Sequence, residues 1–131
     1  MLYKADLTGA SLSKCDLSGM NLRYAIFDRA NLRDATLHGT QLENASFRGA
    51  QLQRCIFKGL QLRNIDFTDA DLSNAEFDSV ILEDCILQGA ELENVNFETV
   101  VYDKATLAGA NTKGAILPRN PLRGLLGKNR K

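Results

Sequence analysis

The hydrophobic positions of this chain recur every five residues, and the recurrence does not slip between Leu2 and Leu117. Of the 24 positions reached in steps of five, sixteen are Leu and six are Phe, with Tyr102 and Thr112 as the exceptions. Two residues before each centre position lies a second, smaller apolar set. Thirteen of its 23 members, from Ala5 to Ala115, are Ala, and Cys15, Cys55 and Cys85 also fall there. The other three positions of each pentad are mainly polar, charged or Gly. Neither standard period explains this, since an amphipathic helix repeats at about 3.6 residues and a strand at 2. A helix would rotate by about 140° per step of five and spread the Leu over every face. Eight of the ten glycines lie two residues after a centre, and Asn44, Asn64, Asn74, Asn94, Asp34, Asp69 and Asp84 share that slot. These residue types accept the positive φ that the third residue of a type II turn demands. Each pentad is therefore predicted to be a short extended piece followed by a tight turn, and a chain that turns at every pentad must coil.

Side-chain size sorts every fourth pentad, which implies four pentads per coil. Phe27, Phe47 and Phe67 fall in one column and Phe57, Phe77 and Phe97 in another, two walls away. The column Ala10, Ala30, Ala50, Ala70, Ala90 and Ala110 is all Ala, while the opposite column is bulky (Met20, Thr40, Leu60, Val80, Val100). Stretches such as Ala5-Asp6-Leu7-Thr8-Gly9, Ala30-Asn31-Leu32-Arg33-Asp34 and Ala70-Asp71-Leu72-Ser73-Asn74 match A-(D/N)-L-x-x. In this the chain resembles the pentapeptide repeat family, over residues 2–117. The resemblance implies an all-β fold: a right-handed quadrilateral β-helix of about six coils with the Leu/Phe and Ala positions inward. At about 4.8 Å per coil, the rod would be roughly 28 Å long.

The division expected is a β-helix over 1–117 and a C-terminal cap and basic tail over 118–131. Pro118 and Pro121 break the pattern; Pro121–Leu126 is expected to cap the last coil and Lys128–Lys131 to be a solvated end. At the other end Leu2 enters the core pattern at once. Either the first coil frays or two copies meet end to end, and the homodimer is the expectation.

Composition narrows the function. Three cysteines fit no disulfide framework, and the first residues have no h-region, so a reducing cytoplasmic location without a signal peptide is expected. No apolar run approaches a membrane span. His38, the single histidine, follows a centre residue and should face solvent. Cys15 and Cys55 share a wall but lie two coils apart, roughly 9.6 Å by strand spacing and beyond disulfide reach. With no phosphate loop, nucleophile elbow or metal-ligand spacing, no catalytic residue, cofactor or metal is expected, and the chain is read as a non-enzyme.

Charge is the informative feature. Sixteen basic and 16 acidic side chains cancel, which argues against direct nucleic-acid binding. The cancellation hides bands. Residues 1–63 carry nine basic and five acidic side chains, residues 64–103 carry eleven acidic ones and no Lys or Arg, and residues 104–131 carry seven basic ones and no acid. The acidic belt is Asp66, Asp69, Asp71, Glu76, Asp78, Glu83, Asp84, Glu91, Glu93, Glu98 and Asp103. Beside it, Ile81, Ile86 and Val101 occupy outward slots, with Ile81 and Val101 stacked on one wall. The belt and this apolar patch are the candidate interaction residues for an unidentified protein partner, which makes the chain a protein-interaction scaffold. The resemblance implies an alternative, a DNA gyrase or topoisomerase inhibitor or quinolone-protection protein acting by partial DNA mimicry. Against it, the belt is short and residues 1–63 run basic.

Overall fold

The computed structural model describes residues 2–117, so the cap and basic tail expected over 118–131 lie outside the described residues. The chain coils as a solenoid with four pentads to each coil. Isolated parallel bridges join Asp6 to Ile26, Ile26 to Ser46, Ser46 to Asp66 and Asp66 to Ile86, and the same offset recurs on the other walls. Three segments extend far enough to count as strands: β1 (Gln61–Arg63), β2 (Ile81–Glu83) and β3 (Val101–Tyr102). They form one parallel sheet with Gln61 beside Ile81 and Ile81 beside Val101. We number the walls by their centre residues: first (Leu2 to Tyr102, carrying β1–β3), second (Leu7 to Leu107), third (Leu12 to Thr112) and fourth (Leu17 to Leu117).

Local turns and inter-coil ladders together satisfy the backbone. The amide of Ala5 donates to the Leu2 carbonyl at 2.9 Å, closing a four-residue turn, while the Leu7 amide reaches the Ile26 carbonyl one coil on at 2.7 Å. Positive φ falls in the turn slot, as the glycine spacing predicted. It also falls on residues that tolerate it poorly, among them Lys4, Lys14, Tyr24, Arg29, Arg54 and Ser79. A non-Gly residue there loses roughly 1–2 kcal/mol locally. The ladder bonds on either side hold the turn regardless of residue type, so tertiary context overrides propensity.

The core is two aromatic ladders within a square of Leu. Phe27 stacks on Phe47 at 4.9 Å and Phe47 on Phe67 at 5.4 Å. On the opposite wall Phe57 lies 5.0 Å from Phe77, and Phe77 5.9 Å from Phe97. The ladders meet edge to face across the interior, Phe57 touching Phe47 and Phe67 at 6.5 and 5.9 Å. All six rings are fully buried. The one polar side chain of the bulky corner column, Thr40, donates its hydroxyl to the Leu37 carbonyl at 2.7 Å. At the N-terminal end Leu2, Leu7, Leu12, Cys15 and Met20 are only partly buried, because no coil covers them from below among the described residues.

One departure from the repeat was not visible in the sequence. Lys104–Leu107 forms a 3-10 turn, with the Thr106 amide bonded to the Asp103 carbonyl at 2.8 Å. Thr106, in an outward slot by sequence, is buried. Above this turn the turn-slot amides shift acceptor by one position, while Leu92 to Asn111 and Phe97 to Ile116 keep the regular register. The Asp69 and Asn74 amides reach the carbonyls of Gln88 and Glu93, but one coil higher the Gly89 and Asn94 amides reach those of Gly109 and Gly114. The second-wall bridges therefore end at Asp66–Ile86 among the described residues, and Ile86 is left half exposed.

Candidate functional site

The coil repeat decides which carboxylates share a surface. The acidic belt wraps all four walls. Glu83, Asp84 and Asp103 face out from the first, Asp66 and Asp69 from the second, Asp71, Glu91 and Glu93 from the third, and Glu76, Asp78 and Glu98 from the fourth. A single partner can reach one corner of a square, so the belt is not one site. The apolar members divide likewise. Ile81 and Val101 lie side by side on the first wall, and Ile86 stands on the second.

Neighbours within the chain neutralise part of the belt. Asp66 accepts the Thr68 amide and hydroxyl at 3.0 and 2.5 Å and pairs with Arg48 at 3.0 Å. Burial alone would raise its pKa, but the Thr68 bonds and the Arg48 guanidinium outweigh it and hold the carboxyl below its ordinary value. Asp71 accepts the Ser73 amide and hydroxyl and the Gln53 amide. Glu83 pairs with Arg63 at 3.2 Å. Among the described residues, Asp69, Asp71, Glu76, Asp78, Glu91, Glu93 and Glu98 make no ion pair. Six of these seven lie on the third and fourth walls.

The corner between those walls carries a shallow groove of about 330 Å³, lined by Asn74, Glu76, Asp78, Asn94, Asn96 and Glu98 among others. The asparagines hold its edge: the Asn94 side-chain amide donates to Asn74 at 3.0 Å across one coil. At its upper rim Thr99 does not adopt the positive φ of the neighbouring turns. Instead its hydroxyl accepts the Ser79 amide at 2.8 Å and donates to Asp78 at 3.1 Å. The carboxylates were legible in the sequence. The asparagine rim was missed, although Asn74 and Asn94 occupy the same turn slot of successive coils.

Cys55 and Cys85 are packed into the core. The Cys55 thiol donates to the Leu32 carbonyl at 2.8 Å and the Cys85 thiol to the Leu62 carbonyl at 3.2 Å. Burial pushes Cys55 up to about 12 and Cys85 up to about 11, so neither forms thiolate near neutrality. Cys15, in the open first coil, is half-buried. Iodoacetamide at about pH 8 should label Cys15 first, with Cys55 and Cys85 at least about 100-fold slower in the native protein. Peptide mass spectrometry over time reads this directly, and equal rates would mean that the coils open far more readily than their packing implies. His38 is exposed. Among the described residues, no group of three or more His, Cys, Asp or Glu could hold a metal ion, and no helix is long and apolar enough to cross a membrane.

Comparison with known proteins agrees with this geometry. A family model described as a pentapeptide repeat region matches residues 30–111, and one for pentapeptide repeats in eight copies matches residues 2–39. Similar solved structures include a pentapeptide repeat protein from the Arabidopsis thaliana thylakoid lumen, at 22% identity and TM-score 0.45 over 87% of this chain and 62% of that one. The chain thus spans less than two thirds of that relative's length. A plasmid-mediated fluoroquinolone resistance protein is 18% identical, with TM-score 0.42 over 90% of this chain and 77% of its own. A protein involved in heterocyst differentiation regulation from the cyanobacterium Nostoc is 23% identical, with TM-score 0.37 over 98% of this chain and 77% of its own. No protein of curated function matches the sequence.

Proposed function

Because the chain belongs to the pentapeptide repeat family, whose members are generally non-enzymatic repeat proteins, we propose that it is an interaction scaffold whose third–fourth wall corner docks a basic protein surface. The carrying observation is the set of six carboxylates on that corner that make no ion pair among the described residues: Asp71, Glu91, Glu93, Glu76, Asp78 and Glu98. Like charges stacked one coil apart repel, so the arrangement costs stability unless a cationic surface covers it. Solenoid walls suit docking because their backbone is fixed before the partner arrives, which lowers the entropy lost on binding. The Ile81–Val101 pair and Ile86 face away from this corner and are not part of the docking reading. The cysteine pattern supports placing the protein in the cytoplasm.

The test compares the wild-type chain with a variant carrying Glu76→Lys, Asp78→Lys, Glu91→Lys and Glu93→Lys. Proteins crosslinked to the wild type should be lost with this variant. They should persist when four outward residues of the first and second walls are reversed instead. Retention by both variants would remove the corner from the reading. A gyrase supercoiling assay with and without a fluoroquinolone tests one candidate partner. Inhibition or drug protection at micromolar protein, lost in the corner variant, would identify the partner as the topoisomerase. No effect at about 50 µM, far above the micromolar affinity of even weak specific complexes, would retire partial DNA mimicry.

A further inference from the structure

The first wall has a different property: its charge pattern matches itself when inverted. The outward column just past each centre reads Tyr3, Arg23, Glu43, Arg63, Glu83 and Asp103, one residue per coil. Its lower end is aromatic and basic. Tyr3 and Tyr24 are 45% and 48% exposed, their rings edge to face at 6.0 Å. Lys4 lies 5.4 Å from the Tyr3 ring and 5.9 Å from the Tyr24 ring, and Arg23 lies 5.7 Å from Tyr3. Its upper end is aliphatic and acidic, with Ile81 and Val101 paired in register beside Glu83, Asp84 and Asp103. In the middle, one carboxylate oxygen of Glu43 is shielded from solvent without a hydrogen-bond partner among the described residues.

We propose that this wall docks a second copy of the chain, with the two solenoid axes antiparallel. A two-fold axis along the strand direction, between the levels of Glu43 and Arg63, reverses the order of coils and keeps each lateral position. The charged column then meets itself upside down. Arg23 faces the second copy's Glu83, Glu43 faces the second copy's Arg63, and each contact occurs twice because the interface is isologous. Arg63 also pairs with Glu83 inside its own chain, so these contacts join into one network. Tyr3 of each copy then faces the second copy's Asp103 and Tyr24 faces its Asp84, while the Ile81–Val101 pair lies level with this cluster on the other side of the charged column. Parallel axes would instead set this column against Asn21, Gln41 and Gln61 and leave the charges unmatched. The other walls match less fully when inverted. In the same column the second wall sets no opposite charges together, and the third sets only Arg33 against Glu93. The fourth sets Lys58 against Asp78, but beside them Ile56 would face Glu76. One wall in four of a molecule exposing 6948 Å² gives room for the roughly 800 Å² per partner of a specific complex. The inference goes beyond the docking corner, which lies on the third and fourth walls.

Analytical ultracentrifugation of the full chain, from about 10 to 500 µM, tests it over the range where weak dimers populate. The expected result is a reversible dimer of twice 14.4 kDa. Its dissociation constant should rise about tenfold or more between about 50 and 500 mM NaCl, as screening removes the ion pairs. Arg23→Glu and Glu83→Arg should each be monomeric, because each sets like charges against one another. An equimolar mixture of the two should dimerise again, since every contact between them is once more Glu to Arg. A monomer at every concentration in low salt would overturn the proposal. So would a dimer that survives Arg23→Glu, which would place the interface at another wall or at the coil ends, or a mixture that fails to recombine. Circular dichroism is the check that both variants keep the coil, and Arg23, which makes no ion pair of its own among the described residues, is the decisive site if Glu83→Arg loosens β2.

Discussion

Phe57→Ala should lower the stability of the solenoid by about 3–5 kcal/mol, the range for truncating a fully buried aromatic ring. Phe57 is the ring that joins the two ladders. It meets Phe47 and Phe67 edge to face and lies 5.0 Å from Phe77 on its own wall. The neighbours cannot close the gap, because each coil is fixed to the next by backbone bonds such as the Phe57 amide to the Glu76 carbonyl at 2.9 Å. A rigid cavity is the expensive kind. Urea denaturation reads the loss as a fall in midpoint at nearly constant slope. Stability in a solenoid passes from coil to coil, so hydrogen exchange should also accelerate most in the coils flanking Phe57. Loss below about 1 kcal/mol would mean that the ladders are not packed as a single core.

The second large effect is a contrast between two deletions. Removing residues 41–60 takes out one whole coil and joins Thr40 to Gln61. Each wall keeps its own residues: Leu22 comes to lie under Leu62, and Phe27 under Phe67, both already wall partners at multiples of the repeat. The shortened chain should fold, with lower stability but a cooperative transition. Removing Gly59 alone should be far worse. It moves Leu62, Phe67, Leu72, Phe77 and Leu82 one position along, toward solvent, if the ladder keeps its register. Each large apolar side chain so exposed costs about 1.5–3 kcal/mol, and the five together cost about as much as the whole 5–15 kcal/mol stability of a typical domain. Hydrogen exchange across residues 62–102 distinguishes the outcomes. Protection kept when the whole coil is removed and lost when Gly59 alone is removed is expected. Protection lost in both would show that the walls are not interchangeable from coil to coil.

The two Phe columns, predicted from spacing, are the two aromatic ladders on opposite walls. The stacking of Ile81 on Val101 was legible in the same way. Both were readable because a pentad repeat whose side chains sort every fourth pentad leaves no freedom in what lies above what. The 3-10 turn at Lys104–Leu107 was not readable, because the pentad spacing continues through it unbroken. Thr106 occupies an outward slot by count, and only the fold shows it buried.

The candidate site was legible as composition and not as geometry. Eleven acids between positions 64 and 103, with no Lys or Arg among them, stand out in the sequence. That Asp66 is bound by Thr68 and Arg48 while Glu93 makes no ion pair among the described residues is not visible there. Hydrogen bonds of this kind depend on rotamers and on neighbours a full coil away, as in Arg48 with Asp66 and Arg54 with Asp34.

The sequence by itself determined the coil: its repeat, its four walls, its inward residues and the order of its charges. These follow from strict periodicity, since an apolar side chain at every pentad centre can be buried in only one winding. The tertiary structure alone decided the turn conformations of Lys4, Tyr24 and Arg29, the burial of Thr106, and which carboxylates of the acidic belt make ion pairs among the described residues. The physical reason is that inter-coil ladder bonds and side-chain pairs act between residues far apart in the chain, where no local preference constrains them.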